Sequence, residues 1–365
     1  MTSPAPAPVI AEVQLGSFRC FESVSFLPGP GFNLIAGANG SGKTSILEAI
    51  YFLGRGTSFR AARAETAIRF EADRATLFAR LGLGLAAKVG LEISRAEGLA
   101  IRVDGAPGTR ADLARALPVQ ILDPASHELV SGAPAGRRQF LDWGVFHVEP
   151  GFLAAWQRYR RALQQRNAAL RARSGPAAWA WDETLVADGA LVDASRRRFL
   201  DLLQRRVRVV GERLLGAGIE LSHLSGWAEG TDLAAALVAS RERDLQMATS
   251  TVGPHRSDIR ISVRTRRARD TVSRGQEKLV AAALTLAQVE LVAEARGQTI
   301  VLLVDEPGAD LDRERLGLLL TEVGAAPVQA FVTSLDPGAV RLPPGARAFH
   351  VEHGSPQASF AILSG

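Results

Sequence analysis

The chain has one cysteine, Cys20, and only three lysines in 365 residues, and it contains no run of eighteen apolar residues. A single cysteine excludes an internal disulfide and makes a reducing compartment the expected setting. Without a long apolar run no membrane-spanning helix is expected. The opening stretch MTSPAPAPVIAEV lacks the basic segment and apolar core of a secretory leader. These absences lead to the expectation of a soluble, cytoplasmic protein with no membrane contact. There is no low-complexity tract and no fixed-period repeat.

Lysine scarcity makes arginine the carrier of positive charge, with 40 of the 43 basic residues, in a chain of net charge +5. A GC-rich genome, which favours arginine and alanine codons, is the expected cause of much of this. Against that background Lys43 stands out, because it lies where a compact ammonium must reach between phosphates, which a guanidinium fork does poorly.

Residues 9–35 alternate apolar and polar and predict two or three strands feeding a glycine-rich loop, GANGSGKT, at 37–44. A helix is predicted from Ser45 to Gly54, an antiparallel meander over 75–104, and a buried strand at 118–122. Two helices follow, over 152–175 and 182–215, expected as an antiparallel pair forming an arm. Over 155–215 there are thirteen arginines against six acids. That excess reads either as a solvated helical face or as a footprint for a polyanion. SDIRISVRT, TIVLLVDEP and VQAFVTS then read as buried strands of a sheet covered on both faces. The expected organisation is a head formed by residues 1–150 and 251–365, split by a helical arm over 151–250.

Gly37, Gly42, Lys43 and Thr44 fit G-x-x-x-x-G-K-[ST], with Asn39, Gly40, Ser41 and Ser45 completing the loop and the helix start. A strand before and a helix after supply the context that motif needs. Backbone N–H groups would close on a β-phosphate, Lys43 would bridge β- and γ-oxygens, and Thr44 would hold Mg²⁺. Four apolar residues place Asp305 and Glu306 at a strand's carboxyl end. There the first acid suits the Mg²⁺ shell and the second suits polarising an attacking water.

The stretch VSRGQEK, 272–278, opens a helix and resembles the signature motif of ABC-type ATPases in Ser273, Gly275 and Gln276. The order of loop, signature, acid pair and DLD (Asp310–Asp312) is that family's order. The resemblance implies an α/β fold, an ABC-type P-loop ATPase head with a mixed sheet and an inserted helical arm. It also implies that Ser273 and Gly275 grip the nucleotide of an opposite subunit, with Asp310 and Asp312 in the loop crossing that interface. Gln120, after Pro118-Val119 at a predicted strand end, is the candidate for the family's Mg²⁺-sensing glutamine. Where that family carries a switch histidine, this chain has Thr333 and Ser334. A hydroxyl there acts by hydrogen bonding alone.

Within ABC-type ATPases the blocks LGSFRCFESVSF…LEAIYFLG, GTSFR, SGAPAGRRQFLDW, GPHRSDI and SRGQEK resemble the RecF family over nearly the whole chain. Departures are Asp305-Glu306 for Asp-Asp, and PGADLD for Ser-Glu-Leu-Asp. The resemblance implies ATP and Mg²⁺ as cofactors, an ATP-dependent homodimer, and slow hydrolysis. It implies binding to double-stranded DNA and single–double-strand junctions, and RecR and RecO as partners in loading recombinase. The arginine-rich arm and the stretch 256–274 are the candidate phosphate contacts, with Arg137, Arg138 and Arg256 as candidate residues. Few aromatics interleave these arginines, which favours duplex backbone over stacked single strands. A transporter's ATP-binding subunit and a non-hydrolysing ATP-gated clamp are the alternatives.

Overall fold

In the computed structural model the described residues are 9–82, 87–336, 338, 342–352 and 361–362. The leader expectation for residues 1–8, and residues 83–86 of the predicted meander, lie outside them. The chain divides into two compact units, residues 1–126 with 297–365, and residues 127–296.

In chain order the head unit begins with β1 (Ile10–Phe18), β2 (Phe21–Phe26), β3 (Phe32–Ala36) and α1 (Lys43–Arg55). It continues with β4 (Arg74–Leu81), β5 (Lys88–Ser94), β6 (Gly98–Val103), β7 (Ala106–Pro107), α2 (Arg110–Ala116) and β8 (Val119–Leu122). The helical unit has α3 (Glu128–Ser131), α4 (Pro134–Val148), α5 (Phe152–Arg171), α6 (Gly175–Trp179) and α7 (Asp182–Leu215). After these come β9 (Ile219–Leu224), α8 (Leu233–Ala239), α9 (Arg241–Met247), β10 (Asp258–Val263), β11 (Arg266–Arg267), α10 (Ala268–Thr271) and α11 (Arg274–Arg296). The head resumes with β12 (Ile300–Val304), α12 (Arg313–Ala325), β13 (Val328–Ser334), β14 (Arg347–His350) and β15 (Ala361–Ile362).

Two six-stranded sheets make the head. One is antiparallel, in the order β2-β1-β4-β5-β6-β7; the other is mixed, in the order β15-β14-β3-β13-β12-β8, with the strands β14, β3, β13, β12 and β8 joined by four parallel pairings. β3 and β12 are buried at every residue, as continuous aliphatic runs covered on both faces should be. Phe18, Phe52, Ile46, Leu303 and Phe331 belong to one core cluster, so α1 is packed on its apolar face. The parallel pairing aligns Ala36, Leu122, Val304 and Ser334 near the carboxyl ends of four adjacent strands. Loops that follow them converge on one edge, where open α/β sheets take their ligands.

The unit boundaries differ from those expected, falling at 126 and 297 instead of 150 and 251. The physical reason is α7, whose buried Leu185, Val192, Phe199, Leu203, Val207, Val210 and Leu214 need cover along its length. α4, α11 and β9 provide it beside α5. Arg158 pairs with Asp188 and Arg166 with Asp182, so α5 and α7 run antiparallel. β10 is a second difference. It is not a covered strand of the parallel sheet but the centre of a three-stranded antiparallel sheet, β11-β10-β9, with alternate residues buried. Its alternation Ile259, Ile261 is the period-two signature of a half-exposed strand.

Candidate nucleotide site

Gly37 and Gly42 hold φ of +156° and +111°. A Cβ on Gly42 would stand 2.5 Å from Phe21 Cζ and 2.8 Å from Cys20 Sγ, so only glycine passes between the β1–β2 turn and the helix start. α1 begins at Gly42 with no side-chain cap and no acid in its first turn. By contrast Thr109 caps α2 through a capping box and Asp312 caps α12. The first N–H groups of α1 are thus left for an anion, reinforced by the helix dipole.

The Lys43 ammonium is buried and donates to the Gly37 and Ala38 carbonyls at 2.9 and 2.8 Å, folded back on its own loop. Burial chiefly pulls its pKa below the usual lysine value, while Glu306 and Asp305 push it back up. Ser41 Oγ is buried without a hydrogen-bond partner among the described residues. Asn39 and Gly40 are exposed at the loop crest, and Ser45 is buried at the start of α1. A triphosphate fits this set, for it would satisfy Ser41, the uncapped N–H groups and Lys43 together.

Thr44 Oγ1 donates to Asp305 Oδ1 at 3.0 Å, joining the loop to the strand end from 261 positions away. Thr333 Oγ1 donates to the same oxygen at 2.8 Å and accepts the Glu306 N–H at 2.8 Å. Thr333 is fully buried, so the hydroxyl in the switch position is a fixed bridge between the two acids' segments. Glu306 is half-exposed and has φ +45°, a strained conformation for a non-glycine residue. Burial above all raises the Asp305 carboxyl above its usual range, with Glu306 and Asp123 adding repulsion. Hard oxygen donors with unrelieved like charge suit Mg²⁺.

Gln120 corrects an expectation. It is the second residue of β8, paired in register with Leu302, and lies about 10 Å back along the strand from the level of Asp305. Its buried side chain accepts a bond from Arg55 at 3.3 Å. Asp123 stands at that level instead: the Leu122 carbonyl accepts the Asp305 N–H at 2.7 Å, and Asp123 follows directly. The sequence signal was available, since Ile121-Leu122 continue the apolar run and Asp123 ends it.

In the helical unit, Ser273 accepts from the Gln276 N–H at 3.4 Å while Gln276 Oε1 accepts the Ser273 N–H at 2.9 Å. The signature is therefore a reciprocal capping box on α11, with Gly275 in its first turn. Asp310 is exposed with φ +65°, and Asp312 caps α12 by accepting the Arg315 N–H at 2.8 Å. Arg137 corrects another expectation. It is 3% exposed, grips Asp258 with two bonds of 2.7 and 3.1 Å, and donates to the Gly132 carbonyl at 2.8 Å. No face of it is left for a phosphate. Arg138 is half-buried on the Ser257 carbonyl, and exposed Arg256 donates to the Ser250 carbonyl.

Residues 9–352 match the RecF/RecN/SMC N-terminal domain. A solved RecF–ATP structure superposes with a TM-score of 0.87 at 22% identity, covering 100% of both chains. An Smc head from Pyrococcus furiosus does so with a TM-score of 0.60 at 15% identity, covering 98% of this chain and 96% of that one. Fold and site thus define an ABC-type ATPase head of the SMC kind. A DNA replication and repair protein RecF of Shewanella baltica is 40% identical over 353 residues, 94% of this chain and 98% of that protein. Its counterpart in Shewanella oneidensis is 39% identical over the same length. The chain belongs to the RecF family.

Proposed function

We propose that this chain is an ATP-gated DNA clamp of recombinational repair. The observation that carries the reading is the chain of contacts Thr44–Asp305–Thr333–Glu306, which joins the phosphate loop, the acid pair and the switch position through one carboxylate oxygen. Residues 37–45 bind the triphosphate, and Thr44 and Asp305 hold Mg²⁺, with Asp123 close by. The metal, when bound, supplies charge neutralisation between β- and γ-oxygens. Glu306 orients and polarises water, and Thr333 fixes its backbone. Ser273, Gly275 and Gln276 complete the site of a second copy, with Asp310 and Asp312 at that contact, so two copies close only with ATP. Hydrolysis by Glu306 is slow and releases the dimer. The clamp holds double-stranded DNA and single–double-strand junctions, works with RecR and RecO, and helps to load recombinase in the cytoplasm.

The test is anisotropy of a fluorescent duplex with a single-stranded extension, titrated with Glu306→Gln protein with and without Mg-ATP. Tight binding only with ATP, weakening steeply with salt, is expected. Equal or absent binding in both states would sink the reading.

A further inference from the structure

The arginines of this protein differ in how many acids stand beside them. Many of those on the helical arm are spent on internal acids. Arg158 pairs with Asp188, Arg166 with Asp182 and Asp244, and Arg196 with Asp142. Arg197, Arg198, Arg206 and Arg208 pair with Asp193, Glu149, Glu294 and Glu220. Arg160, Arg161, Arg171, Arg173 and Arg205 stay exposed without a carboxylate partner among the described residues, so the thirteen-to-six excess read from the sequence is only partly neutralised where it stands.

The β10–β11 hairpin is built the other way. Residues 260–274 hold six arginines against one aspartate. Arg260, Arg264 and Arg266 are exposed and Arg267 half-exposed. Among the described residues none of these four has a carboxylate partner. Val263 pairs with Arg266 across a two-residue turn, Arg264-Thr265, in which both residues have positive φ, +49° and +67°. Turns of this shape ordinarily carry Asn-Gly, and a β-branched residue there is an outlier of the kind found at working sites. The hairpin, at the β11 edge of the three-stranded sheet, gathers unpaired guanidinium groups with no acid among the described residues beside them to relieve their repulsion.

The ribbon also leads directly into the signature. β11 passes without a break into α10, whose Ala268 is fully buried and accepts the Val272 N–H at 3.0 Å. Ser273, the cap of α11, follows at once. The ribbon and the capping box are thus joined by one short, internally bonded segment anchored at Ala268.

We infer that the β10–β11 ribbon, through Arg260, Arg264, Arg266 and Arg267, is the principal contact with the phosphate backbone of duplex DNA, and that its occupancy biases the Ser273 cap. This rests on the DNA reading above. Duplex is favoured over an acidic peptide because four unpaired guanidinium groups gathered on one short hairpin match closely spaced phosphates.

The experiment uses the full chain carrying Glu306→Gln as parent, and the same chain with Arg264→Glu and Arg266→Glu. The control pair, Arg171→Glu and Arg173→Glu, lies at the exposed end of α5. Duplex affinity is read with Mg-ATP over a range of salt, and dimerisation by light scattering. The ribbon variant is expected to lose affinity by roughly 10–100-fold at 0.1 M salt, and its slope of log K against log salt to shrink by about 2. It should still dimerise with ATP, but added duplex should no longer shift the ATP concentration needed. The arm control should bind as the parent does. Undiminished binding by the ribbon variant, or a larger loss in the arm control, would overturn the inference while leaving the DNA reading intact. Competition by polyglutamate as effective as duplex at equal charge would overturn the assignment to DNA. A parent that binds no duplex at all would sink the DNA reading itself, and the ribbon's role with it.

Discussion

Thr333 shows how much one hydroxyl can hold. It donates to Asp305 and accepts from the Glu306 backbone, so its loss frees a buried N–H and one arm of a carboxylate at once. Thr333→Val should cost about 1–3 kcal/mol of stability, and should lower ATP turnover by more than ATP affinity; equal effects on both would show that Thr333 does not position Glu306. Asp305 gives a prediction of opposite sign. A carboxyl raised by burial prefers its proton in the folded chain, so at neutral pH its charge is a destabilising feature, relieved as pH falls toward the raised value. Asp305→Asn should therefore raise the melting temperature of the nucleotide-free protein and abolish the extra stabilisation that Mg²⁺ adds to ATP. In the unaltered chain that extra stabilisation should shrink with acidity, since protons compete for the same oxygen. Calorimetry with and without Mg²⁺ checks both.

Among the elements, α1 and α11 are two helix starts with opposite chemistry. α1 is uncapped and held by glycine, whereas α11 is closed by its own side chains. Gly42→Ala should strain the turn and press on Phe21 and Cys20, costing about 2 kcal/mol or more. It should also remove ATP-dependent stabilisation; full retention would mean that the loop does not close on phosphate. Ser273→Ala should cost about 1 kcal/mol as a lost cap, while Ser273→Arg should also abolish ATP-driven dimerisation with ATP binding spared. A variant of normal dimerisation would refute a signature that acts across two copies.

The elements also show what was legible in the sequence. α7 is found over Asp182–Leu215, the span that was read from periodicity, because one apolar stripe and Gly216 mark it. β12 and β13 were legible as runs of aliphatic and β-branched residues, and β3 as part of the alternating stretch 9–35. β10 was not placed correctly, since Ile259 and Ile261 cannot say which sheet they face, and its partner β9 has too weak an alternation to announce itself. Gln120 stands short of the level of Asp305 because β8 runs on through Ile121-Leu122, and register against β12 decides which side chain stands beside the acid pair.

Over the whole molecule the decisive quantity is how charge is distributed after folding. Buried basic groups in the helical unit make it acid-sensitive. His255 accepts the Tyr159 hydroxyl proton on Nδ1 at 2.6 Å and donates from Nε2 to the Ser250 carbonyl at 3.1 Å, and burial above all depresses its pKa to about 4. Its folded value lies below its unfolded one near 6.5, so the unfolded chain takes the proton first. Stability from this group is whole above pH 6.5 and is lost as pH falls toward 4, by up to about 3 kcal/mol. Burial depresses His223 in the same direction. Denaturant midpoints across pH 7 to 4 should fall, and less so in His255→Gln; parallel curves would show that His255 titrates normally.

The sequence by itself determined the motifs of the candidate site and the chain's membership in the RecF family. Loop, acid pair and signature are local patterns whose residue types and spacing must be written contiguously to close on phosphate or cap a helix. Only tertiary structure decided that Thr44, Asp305 and Thr333 meet on one oxygen, that Asp123 and not Gln120 shares their edge, and which arginines are already paired. Those facts depend on strand register and on acids brought from tens or hundreds of positions away. Composition counts every guanidinium alike, and folding neutralises only some of those on the arm while leaving a strained ribbon of them free.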